Sequence, residues 1–255
     1  MKSIALFSIM CLLMMNTTAQ EIRGGLLLSG TVIYEQTIPL DIQLDGDASQ
    51  FAHALPKEQK SQKILHFTED AALYENHQKE EASVEPEESG MQIRIAEPEN
   101  RIYTNLKEGQ CLEQKEFMSR LFLIESERRE GKWKTTGGQK YILDYPCMEA
   151  VAAVDGKEVK AWFTPKIAIS AGPDSFSGLP GLILAVDIDE GSRSIEAISV
   201  ELGPVDETSL EKPRKGKKVS RKEYQAIVDA KMQEMGIEEG QGVGGNRTVV
   251  IKISQ

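Results

Sequence analysis

The chain has few of the residues that most often carry catalysis or metal binding. Its 255 residues include only three cysteines and three histidines. It contains neither a Gly-x-Ser-x-Gly nucleophile elbow nor a His-Glu-x-x-His zinc motif. Carboxylates are numerous, but no spacing singles out a pair for acid–base chemistry. The sequence therefore predicts that the protein is not an enzyme, and it indicates no catalytic residue, cofactor or metal centre.

A surplus of positive charge is also missing. The 40 acidic and 30 basic side chains give a formal net charge of −10 at pH 7. Nucleic-acid binding requires a basic surface that neutralises phosphates. The composition therefore argues against nucleic acid as a partner.

Long apolar runs are absent except at the N-terminus. Lys2 precedes an apolar run over residues 4–15, and small residues follow up to Ala19. The run is shorter than the roughly 20 residues of a spanning helix, and the pattern is typical of a cleaved secretory signal. Cys11 lies inside the run instead of after a small-residue cleavage box, so we expect no lipid anchor. Residues 1–19 are thus a predicted signal peptide, and residues 20–255 a domain in the periplasm of a Gram-negative bacterium, without a transmembrane span.

Removal of the signal would leave two cysteines, Cys111 and Cys147. An even number of cysteines in an oxidising compartment favours a disulfide. We therefore expect a disulfide between Cys111 and Cys147.

Short alternating segments separated by turn residues dominate the rest of the chain. Residues 30–36 are rich in β-branched side chains, and residues 63–67 and 72–75 flank a Glu69-Asp70 turn as in a hairpin. Such spacing predicts a mainly β fold built on an antiparallel meander. Further strands are predicted at residues 91–96, 101–106, 111–117, 121–125, 141–143, 159–163, 182–188, 194–201 and 247–253.

Three segments depart from this pattern. Residues 53–61 are polar helix formers and predict one or two helical turns. Residues 79–90 are rich in Glu and predict a mobile loop. Residues 207–218 predict a second mobile loop with a basic cluster at 212–218, for which a solvated linker and a docking patch for an acidic surface are the two interpretations.

One helix is predicted late in the chain. Ser220 and Glu223 have the spacing of a capping box. The following apolar residues recur at helical spacing and predict a helix from about Ser220 to Met235 packed on the sheet. The residues of this stripe are Tyr224, Ile227, Val228 and Met232.

A glycine- and proline-rich stretch at residues 162–183 is the most distinctive feature of the sequence. Gly178 and Gly181 tolerate positive φ, Pro180 restricts the backbone between them, and no Gly-Lys-Ser/Thr phosphate motif is present. We expect a structural loop that folds back on the sheet beside Trp162. Its residues are Trp162, Pro165, Phe176, Gly178, Leu179, Pro180, Gly181, Leu182 and Ile183.

Residues 178–183 spell GLPGLI, and in this they resemble the GLPGLI family of exported Bacteroidota envelope proteins. Residues 145–150 and 161–165, the Tyr34-Glu35 strand and the late capped helix also resemble that family's pattern. The resemblance implies an envelope protein without an established biochemical role. It also implies a β half-barrel, similar in outline to periplasmic lipoprotein carriers, with one late helix on an open antiparallel sheet.

Three functions follow as hypotheses. The first is a non-catalytic periplasmic binding protein for an unknown envelope protein or apolar ligand. The second is an envelope protein that handles a soft metal such as copper, through His66, His77 and the thioethers of Met91, Met118 and Met148. The third is a hydrolase whose carboxylates the sequence does not reveal.

Overall fold

The computed structural model describes residues 28–41, 57–77, 82–84, 93–95, 97–128, 131–154, 156–235 and 247–248. Residues 1–19 lie outside this part, so the signal peptide stays a prediction. The strands are β1 (Gly30–Asp41), β2 (Glu58–Phe67), β3 (Ala71–Asn76), β4 (Ala82–Val84), β5 (Ile93–Ile95), β6 (Asn100–Asn105), β7 (Gln110–Phe117), β8 (Arg120–Glu127), β9 (Lys134–Ile142), β10 (Tyr145–Val154), β11 (Lys157–Thr164), β12 (Leu182–Ile188), β13 (Arg193–Leu202), β14 (Lys217–Ser220) and β15 (Arg247–Thr248). A 3-10 helix (Glu207–Leu210) precedes β14, and helix α1 (Arg221–Glu234) follows it.

One open sheet contains all of these strands except β4 and β5, which pair with each other in a separate two-stranded sheet. The order of the open sheet is β14-β8-β7-β6-β3-β2-β1-β13-β12-β11-β10-β9, and β15 pairs with β1. Two antiparallel meanders, β2-β3-β6-β7-β8 and β9 to β13, therefore meet on the first strand. The predicted mainly β fold, with one open antiparallel sheet and a late helix, is confirmed.

Burial explains why β1 lies at the centre. Val32 and Tyr34 have no exposed surface, and the Tyr34 hydroxyl donates a 2.7 Å hydrogen bond to the Ile183 carbonyl. Tyr34 also meets Tyr74 edge to face, with ring centroids 6.2 Å apart. The first strand thereby joins the cores of both meanders.

Helix α1 begins as the sequence predicts. Ser220 is its N-cap, and the capping box with Glu223 is present. Val228 is buried, and Tyr224 and Ile227 pack against Phe122 and its neighbours on β8 and β14. Tyr224 and Ile227 of the predicted stripe therefore pack on β8 and on the edge strand β14.

The predicted helical turns at residues 53–61 are wrong where the structure describes them. Residues 58–61 belong to β2, where Lys60 pairs with Thr37 and Glu58 with Pro39 of β1. Pairing with a neighbouring strand overrides the helix propensity of these polar residues. Residues 53–56 lie outside the described part.

The predicted disulfide is also wrong, because Cys111 and Cys147 are both free and buried in the structure. Cys111 lies on β7 and Cys147 on β10, and the strands β6, β3, β2, β1, β13, β12 and β11 lie between those two in the sheet. A disulfide requires Cα atoms within about 7 Å. Cysteine count carries no information on strand order, so the sequence could not reveal this separation.

Among the described residues, no helix combines the length and the apolar character needed to cross a membrane.

Candidate functional site

The loop between β11 and β12, residues 165–181, packs into the core. Its buried residues Ile167, Ile169 and Ala171 belong to the largest apolar cluster, together with Tyr34 and Tyr74. The backbone of the loop is fixed by 2.9 Å hydrogen bonds from Leu182 N to Ile167 O and from Ile183 N to Ala171 O. We name residues 165–181 the packed loop.

The hexapeptide at residues 178–183 serves burial and backbone geometry. Leu179, Leu182 and Ile183 are buried, whereas Gly178 and Pro180 are exposed. A Cβ on Gly181 would lie 2.2 Å from the Thr164 carbonyl oxygen. The motif places no acid, base or nucleophile in this stretch.

The aromatic anchor of the packed loop is one that sequence reasoning missed. Phe176 meets Trp133 edge to face at 6.5 Å, and the Trp133 indole donates a 2.7 Å hydrogen bond to the Ser177 carbonyl. Trp162 packs instead against the cluster that contains Leu182, with the Lys140 Nζ atom 4.9 Å from the centroid of its ring. Both tryptophans thus pack near the hexapeptide. The partner of Phe176, however, is Trp133 and not Trp162. Pro165 is exposed.

A buried ion pair fixes the middle of the packed loop. The Arg193 guanidinium donates a 2.6 Å hydrogen bond to the Asp174 carboxylate, and both side chains are largely buried. Burial lowers the pKa of Arg193, but the charge of Asp174 and this hydrogen bond outweigh it and hold that pKa above its ordinary value. Lys63 forms a second buried pair with Glu97, and burial lowers the pKa of Lys63 despite that partner. These charges are neutralised internally, which is typical of structural ion pairs.

The residues of the metal hypothesis do not form a site in the described structure. His66 lies opposite Leu73 on β3, and the backbone of His77 bonds that of Gln62, so the two histidines are about 13 Å apart along the strands. Met118 and Met148 are exposed on different meanders, and Met91 lies outside the described residues. The described side chains include no group of three or more potential metal ligands among His, Cys, Asp and Glu.

The two cysteines have the character of core residues. Burial raises the pKa of Cys111, and it raises the pKa of Cys147 to about 11. A thiol is a nucleophile only as the thiolate. The cysteines therefore offer little reactivity at neutral pH.

The segment for which a solvated linker was one of two interpretations is held on the sheet. Residues 203–216 connect β13 to β14, and Leu210 packs against Leu73 and Tyr103. The Lys215 amide donates a 3.1 Å hydrogen bond to the Gln114 side chain, and Pro213 is buried. We name residues 203–216 the crossing segment.

A groove of about 830 Å³ lies between the crossing segment, β7, β8 and β14. Its size falls within the range of ligand sites in proteins. Its apolar lining residues are Leu112, Leu123, Pro213 and Val219, and its charged ones are Glu125, Lys212, Arg214, Lys218 and Glu223. By contrast, the cavity beside the packed loop, next to Tyr74 and Asp174, measures about 10 Å³. Of these two cavities, the groove is the one with space for a ligand.

Three cations that line the groove have no carboxylate partner among the described residues, as is also true of other exposed cations such as Lys166. Lys212, Arg214 and Lys218 are exposed and form no ion pair with any described carboxylate. Lys212 lies over the Tyr103 ring, 5.1 Å from its centroid, so the aromatic ring orients that ammonium group. The arrangement offers three positive charges beside an apolar floor.

The two groove carboxylates are not equivalent. Glu223 accepts hydrogen bonds from the Ser220 amide at 2.7 Å and the Ser220 hydroxyl at 2.8 Å. These bonds lower the pKa of Glu223 and commit its carboxylate to the helix cap. Glu125 is exposed and has no partner among the described residues. Glu125 is therefore the negative charge in the groove that is free to repel an anion.

A buried carboxylate fastens helix α1 beside the groove. Arg221, the first helical residue, pairs with Glu113 on β7, and Lys115 approaches the same carboxylate at 2.8 Å. Arg221 also donates a hydrogen bond to the Ser126 hydroxyl at 3.2 Å. The end of the groove formed by β14 and α1 is thus held on the sheet by the Arg221–Glu113 ion pair as well as by apolar packing.

Comparison with known proteins shows a family match over a short stretch. Residues 152–185 match the family described as "Protein of unknown function (Porph_ging)". This stretch contains β11, the packed loop and the hexapeptide, and it excludes the groove. Membership of the GLPGLI family itself is not confirmed by this match. The comparison with curated proteins found no match.

Solved structures with a similar fold include two crystal forms of PNGF-II. The form in space group P21 superposes with a TM-score of 0.52 at 16% identity, covering 79% of this chain and 33% of that chain. The form in space group C2 gives a TM-score of 0.53 at 17% identity, covering 78% and 32%. The chain thus spans about a third of the length of PNGF-II, and the likeness shows the fold alone.

Proposed function

We propose that the chain is an exported, non-catalytic binding protein of the GLPGLI type in the bacterial envelope. Its binding site is the groove between the crossing segment and strands β7, β8 and β14. The observation that carries the proposal is the groove of about 830 Å³, where an apolar floor meets three cations without carboxylate partners.

The alternatives have less support. An apolar ligand inside the sheet would require space that Ile167, Ile169 and Leu182 occupy. A soft-metal site would require His66 and His77 to converge, and the strand register separates them. A hydrolase would require a carboxylate pair in a cleft, whereas Glu223 in the groove is committed to the helix cap.

Native mass spectrometry of the protein isolated from the envelope of its own host tests the binding function. We expect a bound species on the wild-type protein and its loss from the variant Lys212→Glu/Arg214→Glu/Lys218→Glu. Lys166→Glu is the control, because this exposed cation of the packed loop lies outside the groove lining. A bound species that persists on the triple variant would show that the site lies elsewhere.

Export is tested on the same material. The mature N-terminus should be Gln20 or Glu21, as the signal pattern predicts. Recovery of a chain that still begins with Met1 would contradict the proposed export.

A further inference from the structure

We propose that the occupant of the groove is an extended acidic segment of a partner protein. Its carboxylates contact Lys212, Arg214 and Lys218, and its apolar side chains lie on Leu112 and Leu123. This inference rests on the proposed function and specifies the class of ligand.

Cations outnumber carboxylates in the lining of the groove. In a chain with net charge −10, many exposed cations meet a carboxylate, as in Lys107 with Asp70 at 2.6 Å and Lys140 with Glu196 at 3.2 Å. Residues 212–218 contain five cations, and the three that line the groove have no described carboxylate partner. Complementary charge at an interface steers association and disfavours wrong partners. The groove is therefore complementary to an anion.

The recessed shape of the groove and its three cations favour some anionic ligands over others. Leu123 is only 6% exposed and lies in the floor of a recess, so the planar surface of a bilayer does not reach it. A fatty acid would bring one carboxylate to a site lined by three cations. An extended peptide presents alternate side chains on its two faces, so it can place carboxylates at the rim and apolar groups on the floor.

The lining of the groove also contains a carboxylate, Glu125, that can be used to test this assignment. The Glu125 carboxylate faces the same space and has no described partner. It should weaken the binding of any anion, and its neutralisation should strengthen that binding. A ligand recognised only by its apolar part would not respond to Glu125.

Fluorescence anisotropy with a labelled heptapeptide of alternating Glu and Leu tests the proposal. We expect saturable binding that weakens with added salt, because exposed charges are screened. Each exposed charge pair contributes about a two- to five-fold effect. The variant Lys212→Gln/Arg214→Gln/Lys218→Gln should therefore bind at least about eight-fold more weakly. Glu125→Gln should bind about two-fold more tightly, and Lys166→Gln should bind as the wild type does.

Controls of ligand chemistry separate the possible outcomes. The same peptide with Lys in place of Glu, palmitate, and vesicles containing phosphatidylglycerol are titrated in parallel. Equal binding of the Glu peptide to the wild type and the triple Gln variant would overturn the proposal. Charge-dependent binding of palmitate or vesicles, without binding of the Glu peptide, would also overturn the proposal of an acidic peptide. The proposed binding function would then stand, with a lipid as the ligand. The proposed location of the site fails separately, if the native bound species persists on the triple Glu variant, and the binding function itself fails if the wild-type protein carries no bound species.

Discussion

The packed loop and the crossing segment are two irregular stretches on the same sheet, and the buried charge of the first is neutralised whereas the groove cations of the second, Lys212 and Arg214, have no carboxylate partner among the described residues. In the packed loop, Asp174 is neutralised by Arg193 at 2.6 Å, and Ile167 and Leu179 are buried. In the crossing segment, the backbone is fixed at Leu210 and Lys215 while the cations stay exposed and unpaired. Internal neutralisation is typical of a structural ion pair, and the cations without carboxylate partners beside the groove are the basis of the proposed role in binding. The family match at residues 152–185 covers the first stretch and not the second.

The largest expected effect comes from Gly181→Val. A Cβ at this position would lie 2.2 Å from the Thr164 carbonyl oxygen, at a φ of +157°. Neither backbone can move without breaking the hydrogen bonds of the packed loop, so we expect a loss of more than about 4 kcal/mol in unfolding free energy, or failure to fold. Urea denaturation measures the effect, with Gly203→Val as control, since nothing lies within 4 Å of a Cβ at Gly203. Equal stability of the two variants would contradict the role assigned to Gly181.

Asp174→Asn should have the next largest effect. Asn keeps the shape of the side chain and tolerates the φ of +57°, but it removes the charge that neutralises buried Arg193. Breaking a buried ion pair from one side costs about 3–5 kcal/mol. Asp189→Asn is a matched control, because Asp189 has a φ of +52° and is exposed. If both variants unfold at the same urea concentration, the Asp174–Arg193 pair does not stabilise the packed loop.

Leu179→Ala should destabilise somewhat less. The side chain is 3% exposed, and its exposed neighbours Gly178 and Pro180 allow partial collapse of the cavity, so we expect about 2–3 kcal/mol. Leu143→Ala, at a side chain that is 45% exposed, should change the unfolding free energy by less than about 0.5 kcal/mol. If Leu179→Ala abolished ligand binding at unchanged stability, the hexapeptide would be a recognition surface.

Local features of this fold could be predicted from the sequence because neighbouring residues determine them. The β2–β3 hairpin follows from alternation around Glu69-Asp70, and the start of α1 follows from the spacing of Ser220 and Glu223. Strand β10 was missed because Tyr145–Val154 lies on a strand with buried positions at irregular spacing, and its pairing with β9 contains a bulge. Such irregularities depend on the neighbouring strands.

Features that join distant parts of the chain could not be predicted. The contact of Trp133 with Phe176 and the pairing of Asp174 with Arg193 depend on how the packed loop crosses the sheet. The basic cluster at residues 212–218 was visible as a charge pattern with two interpretations. Only the seating of Pro213 and Lys215 on the sheet distinguishes a free linker from the rim of a groove.

The smallest expected effect on stability, and the one that separates the two stretches most sharply, comes from Lys212→Gln/Arg214→Gln/Lys218→Gln. The three side chains are exposed and lack carboxylate partners, so their removal costs at most the cation–π contact of Lys212 with Tyr103, about 0.5–1 kcal/mol. Reduced repulsion among the three cations offsets part of that loss, and we expect a net change of less than about 1 kcal/mol in urea denaturation. Binding of the acidic heptapeptide should nevertheless fall at least about eight-fold. Leu179→Ala should give the reverse, with lower stability and unchanged binding under conditions in which the variant is folded. If the triple Gln variant unfolded as readily as Leu179→Ala, the crossing segment would have the same structural role as the packed loop, and the division between a folding stretch and a binding stretch would be wrong.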